Sequence, residues 1–135
     1  MATQFQLSVV APDRSVVDEQ VTSVVAPGSE GYFGVLAGHI PLIAALKPGL
    51  VEFSDANNQR HYVSVSGGFA EVTPSKVTIL ADAAERAADI DVSRAERALE
   101  EARKSLRGEA SGTTAEQATA ELDRAMNRIK AAKRG

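Results

Sequence analysis

Short apolar runs separated by turn-forming residues fill the first eighty positions of the chain. Breaks such as Pro48-Gly49, Gly67-Gly68 and Asp55-Ala56-Asn57-Asn58 punctuate them. We predict eight strands: Phe5 to Val10, Val21 to Val25, Tyr32 to Leu36, Leu42 to Leu46, Leu50 to Phe53, His61 to Val65, Phe69 to Val72 and Val77 to Leu80. Short strands at this spacing are typical of a sandwich or barrel, and not of a parallel sheet.

The pattern changes to a helical one in the last third of the chain. Asp91 is an acceptable N-cap for a first helix, and Ser93 with Glu96 offers an alternative capping box; Thr114 with Gln117 opens a second helix. Helical spacing then gives two narrow apolar stripes, Ala95, Ala98, Leu99, Ala102, Leu106 and Ala115, Ala118, Leu122, Met126, Ile129. The segment from Gly108 to Gly112 separates them, as expected for an αα-hairpin.

Composition supports two parts with different structures. Residues 1–80 hold thirteen of the fourteen valines and all six aromatic residues, whereas residues 81–135 hold fifteen of the twenty-three alanines. Valine and aromatic side chains favour strands, and alanine favours helices. We therefore predict an all-β N-terminal sandwich (1–84), a linker (85–90) and a C-terminal antiparallel α-helical hairpin (91–135), a fold that is α+β overall.

The predicted hairpin has little apolar surface to bury. Its stripes are largely alanine, and an alanine methyl contributes much less than the roughly 1.5–3 kcal/mol of a buried leucine or isoleucine. We therefore expect the hairpin to dock reversibly against the β domain or another protein. A plain structural hairpin is the alternative that this argument leaves open.

Several function classes are excluded by what the sequence lacks. A net charge of −3 argues against a nucleic-acid-coating protein, and the absence of cysteine excludes disulfides and thiolate chemistry. No membrane-spanning apolar stretch or signal peptide is expected. The chain has no metal-ligand spacing, nucleophile elbow or Walker-type phosphate loop. We therefore predict no catalytic residue, no metal site and no nucleic-acid partner.

Three features remain as candidates for function. In one of them, Ser66-Gly67-Gly68-Phe69, the paired glycines favour a bulge or tight turn over a site. The loop Gly38-His39-Ile40-Pro41 is flanked by apolar residues and is either a docking point or a structural turn. Arg94, Arg124 and Arg128 occupy helix positions where a cation is mildly unfavourable or repelled by its neighbour. They lie either on a solvated face or around an anion, because guanidinium groups suit phosphate oxygens.

Four motifs, in order between residues 38 and 86, carry a family resemblance that covers essentially the whole chain. They are Gly38-His39-Ile40-Pro41, Lys47-Pro48-Gly49, Ser66-Gly67-Gly68-Phe69 and the run from Lys76 to Arg86. With them the chain resembles the epsilon subunit of the bacterial F-type ATP synthase. The family architecture, a β-sandwich followed by a helical hairpin, agrees with the fold predicted above.

The resemblance implies a non-catalytic central-stalk subunit of a rotary motor. In the family, the sandwich clamps the gamma subunit and sits on the c-ring, coupling proton-driven rotation to ATP synthesis. Tyr32, Gly38 and His39 would face the c-ring, although the family often has an acidic residue where this chain has Tyr32. The implied location is peripheral, on the cytoplasmic face of the bacterial cell membrane, with membrane contact only through the complex.

The resemblance also implies regulation by the hairpin, which in the family folds onto the sandwich or extends along gamma and obstructs ATP hydrolysis. In the extended state it would meet the alpha and beta catalytic subunits. Some members bind ATP through a motif that Ile90-Asp91-Val92-Ser93-Arg94-Ala95 matches. By carry-over, the residues around ATP would be Glu85, Ile90, Asp91, Arg94, Ala95, Arg124 and Arg128. Glu101 stands where binding members can have a further arginine.

A free-standing β-sandwich module that recognises a carbohydrate or peptide is the alternative function. The six aromatic residues of the sandwich form no evident sugar-stacking platform, which counts against it. The two hypotheses differ in one requirement, because only the family function needs stable association with gamma.

Overall fold

The computed structural model describes residues 3–108 and 114–134 of the chain. Its described part begins with seven strands, continues with a 3-10 turn at Ala87–Asp89 and ends with two helices. The strands are β1 (Phe5–Ala11), β2 (Arg14–Gly28), β3 (Gly31–Val35), β4 (Leu42–Asp55), β5 (Arg60–Thr73), β6 (Lys76–Ala81) and β7 (Ala84–Arg86). The helices are α1 (Val92–Leu106) and α2 (Ala115–Arg134).

The strands form a closed sandwich in the order β1-β6-β5-β4-β2, with β2 returning to pair with β1. Among the described strands, only β1 and β6 run parallel; the other pairs are antiparallel. The long strands serve both halves of the sandwich. In β5, residues 68–73 pair with β6, and residues 63–65 pair with β7. The predicted all-β sandwich followed by helices is confirmed.

The prediction of separate strands on either side of Pro48-Gly49 and of Gly67-Gly68 is wrong. Each pair of predicted strands is one long strand, β4 or β5, because these residues bend the strand without ending it. Gly67 and Gly68 have φ of 106° and 120°, values that suit glycine and allow the bend. Ser66, the register partner of Pro48, donates its N–H to the Ala83 oxygen, 3.0 Å away.

Two strand segments were not predicted at all. The first half of β2 pairs with β1 over residues 14–21, where charged residues interrupt the apolar pattern. Within this half of the strand, only Val17 and Val21 are buried. The alternation of apolar and polar residues is therefore too short to be recognised in the sequence. The short strand β7 lies beside β5 in the segment that we predicted as a linker, residues 85–90, together with the 3-10 turn.

Alternating side chains of all the long strands fill a single sandwich core. Phe53, Leu7 and Ile79 are fully buried there, together with a large set of valines. Each such side chain contributes roughly 1.5–3 kcal/mol relative to an exposed one. The sandwich is therefore the rigid part to which the hairpin is attached.

The helix starts agree with the capping residues. The Asp91 side chain accepts the Arg94 N–H at 3.0 Å, so α1 begins at Val92 and the alternative Ser93–Glu96 box is not used. At α2, the Thr114 N–H donates to Gln117 Oε1 and the Gln117 N–H to Thr114 Oγ1, both at 3.1 Å. The predicted break at residues 108–112 lies outside the described residues beyond its first glycine.

The helical stripes are only partly those predicted. The helices bury Ala95, Ala102, Ala118, Ala125 and Ala131. In contrast, Leu106 is 42% exposed and Met126 51% exposed, while Ala98 and Ala115 also face solvent. The two helices pack against each other, and α2 rests on β4, β5 and the 3-10 turn. The hairpin is thus folded down on the sandwich.

Candidate functional site

A cleft of about 710 Å³ lies between the sandwich and the hairpin. The sandwich contributes the β1–β2 turn, part of β5 and the segment leading into β7; the hairpin contributes one face of each helix. Three arginines predicted to meet an anion, Arg94, Arg124 and Arg128, line this cleft with Glu85. Residues distant in the sequence are therefore brought together by the docking of the hairpin.

An ion pair crosses the cleft from helix to sandwich. Arg128 Nε donates to Glu85 Oε1 at 2.8 Å, and both side chains are about three-quarters buried, with 24% and 25% exposed. Glu85 is held in place because β7 is tied to β2: Arg86 Nε donates to the Val16 oxygen at 2.9 Å, and an Arg14 guanidinium N–H donates to the Ala84 oxygen at 3.2 Å. The pair links the hairpin directly to this strand.

The other two arginines are available to an incoming anion. Arg94 and Arg124 are exposed and make no ion pair with any other residue in 3–108 or 114–134. The cleft is nevertheless balanced in charge. Its lining contains four arginines and five carboxylates, namely Arg14, Arg94, Arg124, Arg128 and Asp13, Asp82, Glu85, Glu101, Glu121. The carboxylates oppose phosphate, so this charge balance favours weak binding.

The remaining predicted ATP residues do not line the cleft. Ile90 is buried in a small apolar cluster with Leu50 and Ala131. Asp91 caps α1, and Ala95 is fully buried. Glu101, in contrast, does line the cleft.

An exposed apolar row crosses the outer face of the sandwich, and the sequence did not reveal it. Phe69 and Leu80 are register partners on β5 and β6, 59% and 58% exposed. The row continues to the exposed Ala45 on β4 and the half-buried Val10 on β1, and Ile43, 74% exposed, lies two residues along β4. Neighbouring exposed apolar side chains mark an interaction surface more often than scattered ones do. Only pairing across four strands brings these residues together.

The loop between β3 and β4 lies at the end of the same sheet. Leu36 and Ile40 are 66% and 79% exposed, and the Gly38 N–H donates to the Pro74 oxygen at 2.9 Å, which ties the loop to the β5–β6 turn. Gly38 itself has φ of 79°, and His39 Nδ1 lies 2.7 Å from the Ile40 oxygen. The loop is therefore ordered and presents apolar side chains.

Tyr32 is anchored elsewhere. Its hydroxyl accepts the Leu50 N–H at 3.2 Å, and Lys47 Nζ lies 5.7 Å from the centre of its ring. The ring remains about half exposed. The structure thus fixes Tyr32 near the bend of β4 and the His39 loop beside the β5–β6 turn.

The described residues contain no cluster of three or more His, Asp or Glu side chains that could hold a metal ion. In the same part of the chain, no helix is long and apolar enough to cross a membrane. Buried side-chain nitrogen and oxygen atoms all have a hydrogen-bond partner there.

Two family models match the chain consecutively. Residues 4–87 match the β-sandwich domain of the ATP synthase delta/epsilon chain, and residues 88–133 match its long α-helix domain. Together these matches extend over both the sandwich and the hairpin.

Curated relatives carry the name ATP synthase epsilon chain. The protein from Nitratidesulfovibrio vulgaris is 46% identical over 130 residues, covering 96% of both chains, and that from Syntrophobacter fumaroxidans is 44% identical over 134 residues, covering 99% of both. Among solved structures, the chain is similar to a chain of the Euglena gracilis mitochondrial ATP synthase, solved as an OSCP/F1/c-ring assembly. The TM-score is 0.76 at 28% sequence identity, and the match covers all of this chain and 84% of that one. A Tetrahymena thermophila central stalk/c-ring chain shares the fold, with a TM-score of 0.55 at 12% identity, over 98% of this chain and 96% of that one.

Proposed function

The chain belongs to the ATP synthase delta/epsilon chain family, and from this we propose that it is a non-catalytic subunit of the central stalk. The sandwich clamps gamma and rests on the c-ring, and it couples proton-driven rotation to ATP synthesis in the catalytic subunits. The complex holds it at the cytoplasmic face of the bacterial membrane. The observation that carries this proposal is the exposed apolar row across four strands.

The row is suited to gamma because it is apolar and rigid. Phe69 and Leu80 project from paired strands, so no loop has to order when a partner packs on them. Large aromatic and aliphatic side chains at the centre of a protein interface carry most of its binding energy. In the proposed complex, the loop from Leu36 to Pro41, at the end of the same sheet, meets the c-ring through Gly38 and His39.

Co-purification with gamma tests this assignment. We expect Phe69→Asp to abolish stable association, because a carboxylate would be desolvated against an apolar partner. Leu106→Asp is the matched control, since Leu106 is a similarly exposed apolar residue on α1. Undiminished capture of gamma by Phe69→Asp would refute the assigned face. Failure of the unaltered chain to bind gamma would instead favour the free-standing module.

The cleft supports a second part of the proposal, that ATP holds the hairpin down. An ATP phosphate placed between Arg94 and Arg124 would contact both helices and approach Arg128 beside the sandwich. Such a ligand binds only the docked hairpin, and it therefore shifts the population toward that state by its differential affinity. The five cleft carboxylates favour an affinity low enough for cellular ATP to vary the occupancy.

Calorimetric titration of the isolated chain with ATP tests the sensor. Saturable binding that is lost in both Arg94→Ala and Arg128→Ala would support it, and Arg103→Ala, on α1 but outside the cleft, is the control. Absence of binding at millimolar ATP would refute the sensor and leave the stalk assignment intact.

The regulatory role itself is tested in the assembled complex. We expect deletion of residues 88–135 to raise ATP hydrolysis at low ATP, because a free hairpin extends toward the alpha and beta subunits and obstructs rotation. An unchanged rate would show that the hairpin is not a brake.

A further inference from the structure

Asn127, on the sandwich-facing side of α2, makes the most directional contact between the hairpin and the sandwich. Its Nδ2 donates to the Gly49 oxygen at 2.8 Å and to Ser64 Oγ at 2.9 Å, and lies 3.4 Å from the Val65 oxygen. Gly49 and Val65 are register partners on β4 and β5. One amide group therefore binds both central strands of the sandwich at once.

The acceptors of Asn127 are rigid and shielded from water. In the described part of the chain, Ser64 is the one polar residue that is buried, with 7% of its surface exposed. Val65 is fully buried. Gly49 is fixed as well, because a Cβ there would lie 2.6 Å from Pro27 Cβ and from the Tyr32 hydroxyl oxygen. Two of the acceptors are carbonyl oxygens, so only the NH₂ end of the amide can face them.

The other contacts between α2 and the sandwich fix the position of the helix less precisely than the Asn127 hydrogen bonds do. Ala131, one helical turn beyond Asn127, packs on Leu50 and Ile90, and an alanine methyl fits many positions along an apolar surface. Arg128 and Arg134 reach the sandwich by long flexible side chains, to Glu85 and to the Tyr62 ring. Buried hydrogen bonds, in contrast, are lost on a shift of a single residue.

We propose that Asn127 is the residue that fixes where the hairpin docks, and that its amide clasp on Gly49 and Ser64 sets the docked register and most of its preference over the undocked state. The proposal rests on the proposed function only in treating undocking as the regulated step. Undocking exposes the clasp to water, where the carbonyls and the amide find new partners. Because water replaces the lost hydrogen bonds, the clasp can open and close, whereas an apolar core would have to expose its hydrophobic surface.

The test measures docking in the full isolated chain. Because the chain has no cysteine, spin labels can be attached at Ser75→Cys on the β5–β6 turn and Lys104→Cys on α1, both exposed. The distance distribution between them reports the docked and undocked hairpin. Urea is added at concentrations below those that unfold the sandwich, so that the docked and undocked states are both populated. The ratio of the two populations then gives the docking equilibrium constant.

We expect Asn127→Leu to lower the docking constant about tenfold, since the carbonyls are then covered without a donor. Leucine is a better helix former than asparagine, so a loss of helix propensity cannot cause this result. Asn127→Asp, which keeps the shape and replaces donors by acceptors, should lower the constant at least as much. Met126→Leu, at the adjacent exposed position, is the control and should leave it unchanged.

A double-mutant cycle assigns the effect to the clasp. In a Ser64→Ala background, the loss caused by Asn127→Leu should be smaller, because one of the bonds is already absent. A docking constant that is unchanged in both Asn127 variants would overturn the proposal. If the variants undock the hairpin while ATP hydrolysis by the assembled complex is unaltered, the clasp stands and the proposed brake fails.

Discussion

The sandwich core and the surface between hairpin and sandwich differ in the size and polarity of the side chains they bury. The core contains Phe53, Leu7, Ile79 and valines without exposed surface. The helices bury only alanines, and the contacts of α2 with the sandwich include Asn127, the Arg128–Glu85 pair, Arg134 over the Tyr62 ring and a few apolar atoms around Leu50. The large apolar core stabilises a single sandwich structure, whereas the small and polar contacts of the hairpin are compatible with both a docked and an undocked state.

This difference fits the proposed function, a stalk subunit with a regulatory hairpin. Under that proposal, a sandwich that transmits torque has to remain folded under load, and a hairpin that regulates has to change position at a free-energy cost that a ligand can supply. Ligand binding shifts such an equilibrium only when the two states are a few kcal/mol apart.

Phe53→Ala should lower the free energy of unfolding of the sandwich by about 3–5 kcal/mol. The ring is fully buried and stacks on His61 with centroids 5.1 Å apart, so its removal leaves a cavity. Urea unfolding measures the loss. Phe69→Ala is the control, because Phe69 is 59% exposed and its truncation should change stability by less than about 0.5 kcal/mol. Equal losses in the two variants would contradict the assignment of the core.

Gly68→Ala should destabilise the sandwich by about 1–3 kcal/mol. Gly68 has φ of 120°, and an added Cβ would lie 2.0 Å from the Leu80 oxygen, which forces β5 and β6 apart. Thermal unfolding measures the effect. Gly34→Ala provides the comparison, since the nearest atom to its added Cβ lies 4.0 Å away and little change is expected. A stable Gly68→Ala variant would show that the bend of β5 tolerates a side chain.

Arg128→Ala should weaken hairpin docking by about 0.2–1 kcal/mol and leave the unfolding of the sandwich unchanged. The Arg128–Glu85 pair is partly exposed, so solvent screens it. Hydrogen exchange of the α2 amides, compared with exchange of the β4 amides, separates the two effects. Lys130→Ala, an exposed residue of the same helix, should alter neither. Coupled loss of protection in helix and strand would mean that the two regions unfold together.

The smallest effect concerns acid stability at the β4–β5 turn. The Asp55 carboxylate accepts bonds from His61 Nε2 at 2.8 Å and from the Gln59 and Asn57 N–H groups, and these bonds hold its pKa below the ordinary value. A lowered folded-state pKa gives stability that is complete above the unfolded pKa of 3.8 and is lost as the pH falls through the folded value. We expect Asp55→Asn to reduce the acid dependence of unfolding below pH 4. An identical acid profile in the variant would contradict the role of Asp55.

Several local features could be predicted from the sequence because they depend on neighbouring residues. Asp91 and Thr114 cap helices through bonds that span three residues, and the Asp55–Asn58 turn closes through its own side chains. Strand boundaries at Pro48-Gly49 and Gly67-Gly68 could not be predicted. Pro-Gly and Gly-Gly pairs can either end a strand or bend it, and the pairing with the neighbouring strand determines which of the two occurs.

The candidate site shows the same limit. Arg94, Arg124 and Arg128 are predicted to meet an anion because cations at those helix positions are unfavourable, and the structure brings all three to one cleft. Asn127 gave no comparable indication, since a lone asparagine in a helix is an ordinary surface residue. The acceptors that give it a role, Gly49 and Ser64, lie 78 and 63 residues away.

Local patterns in the sequence predict a β part followed by two helices, the starts of both helices and the family of the chain. These depend on periodicity, capping and motifs, all of which are local. The tertiary structure alone decided which exposed apolar side chains form one row, how the cleft balances its charges and which face of α2 meets the sandwich. Such properties arise from pairing across strands and from docking, and the interactions that produce them join residues far apart in the chain.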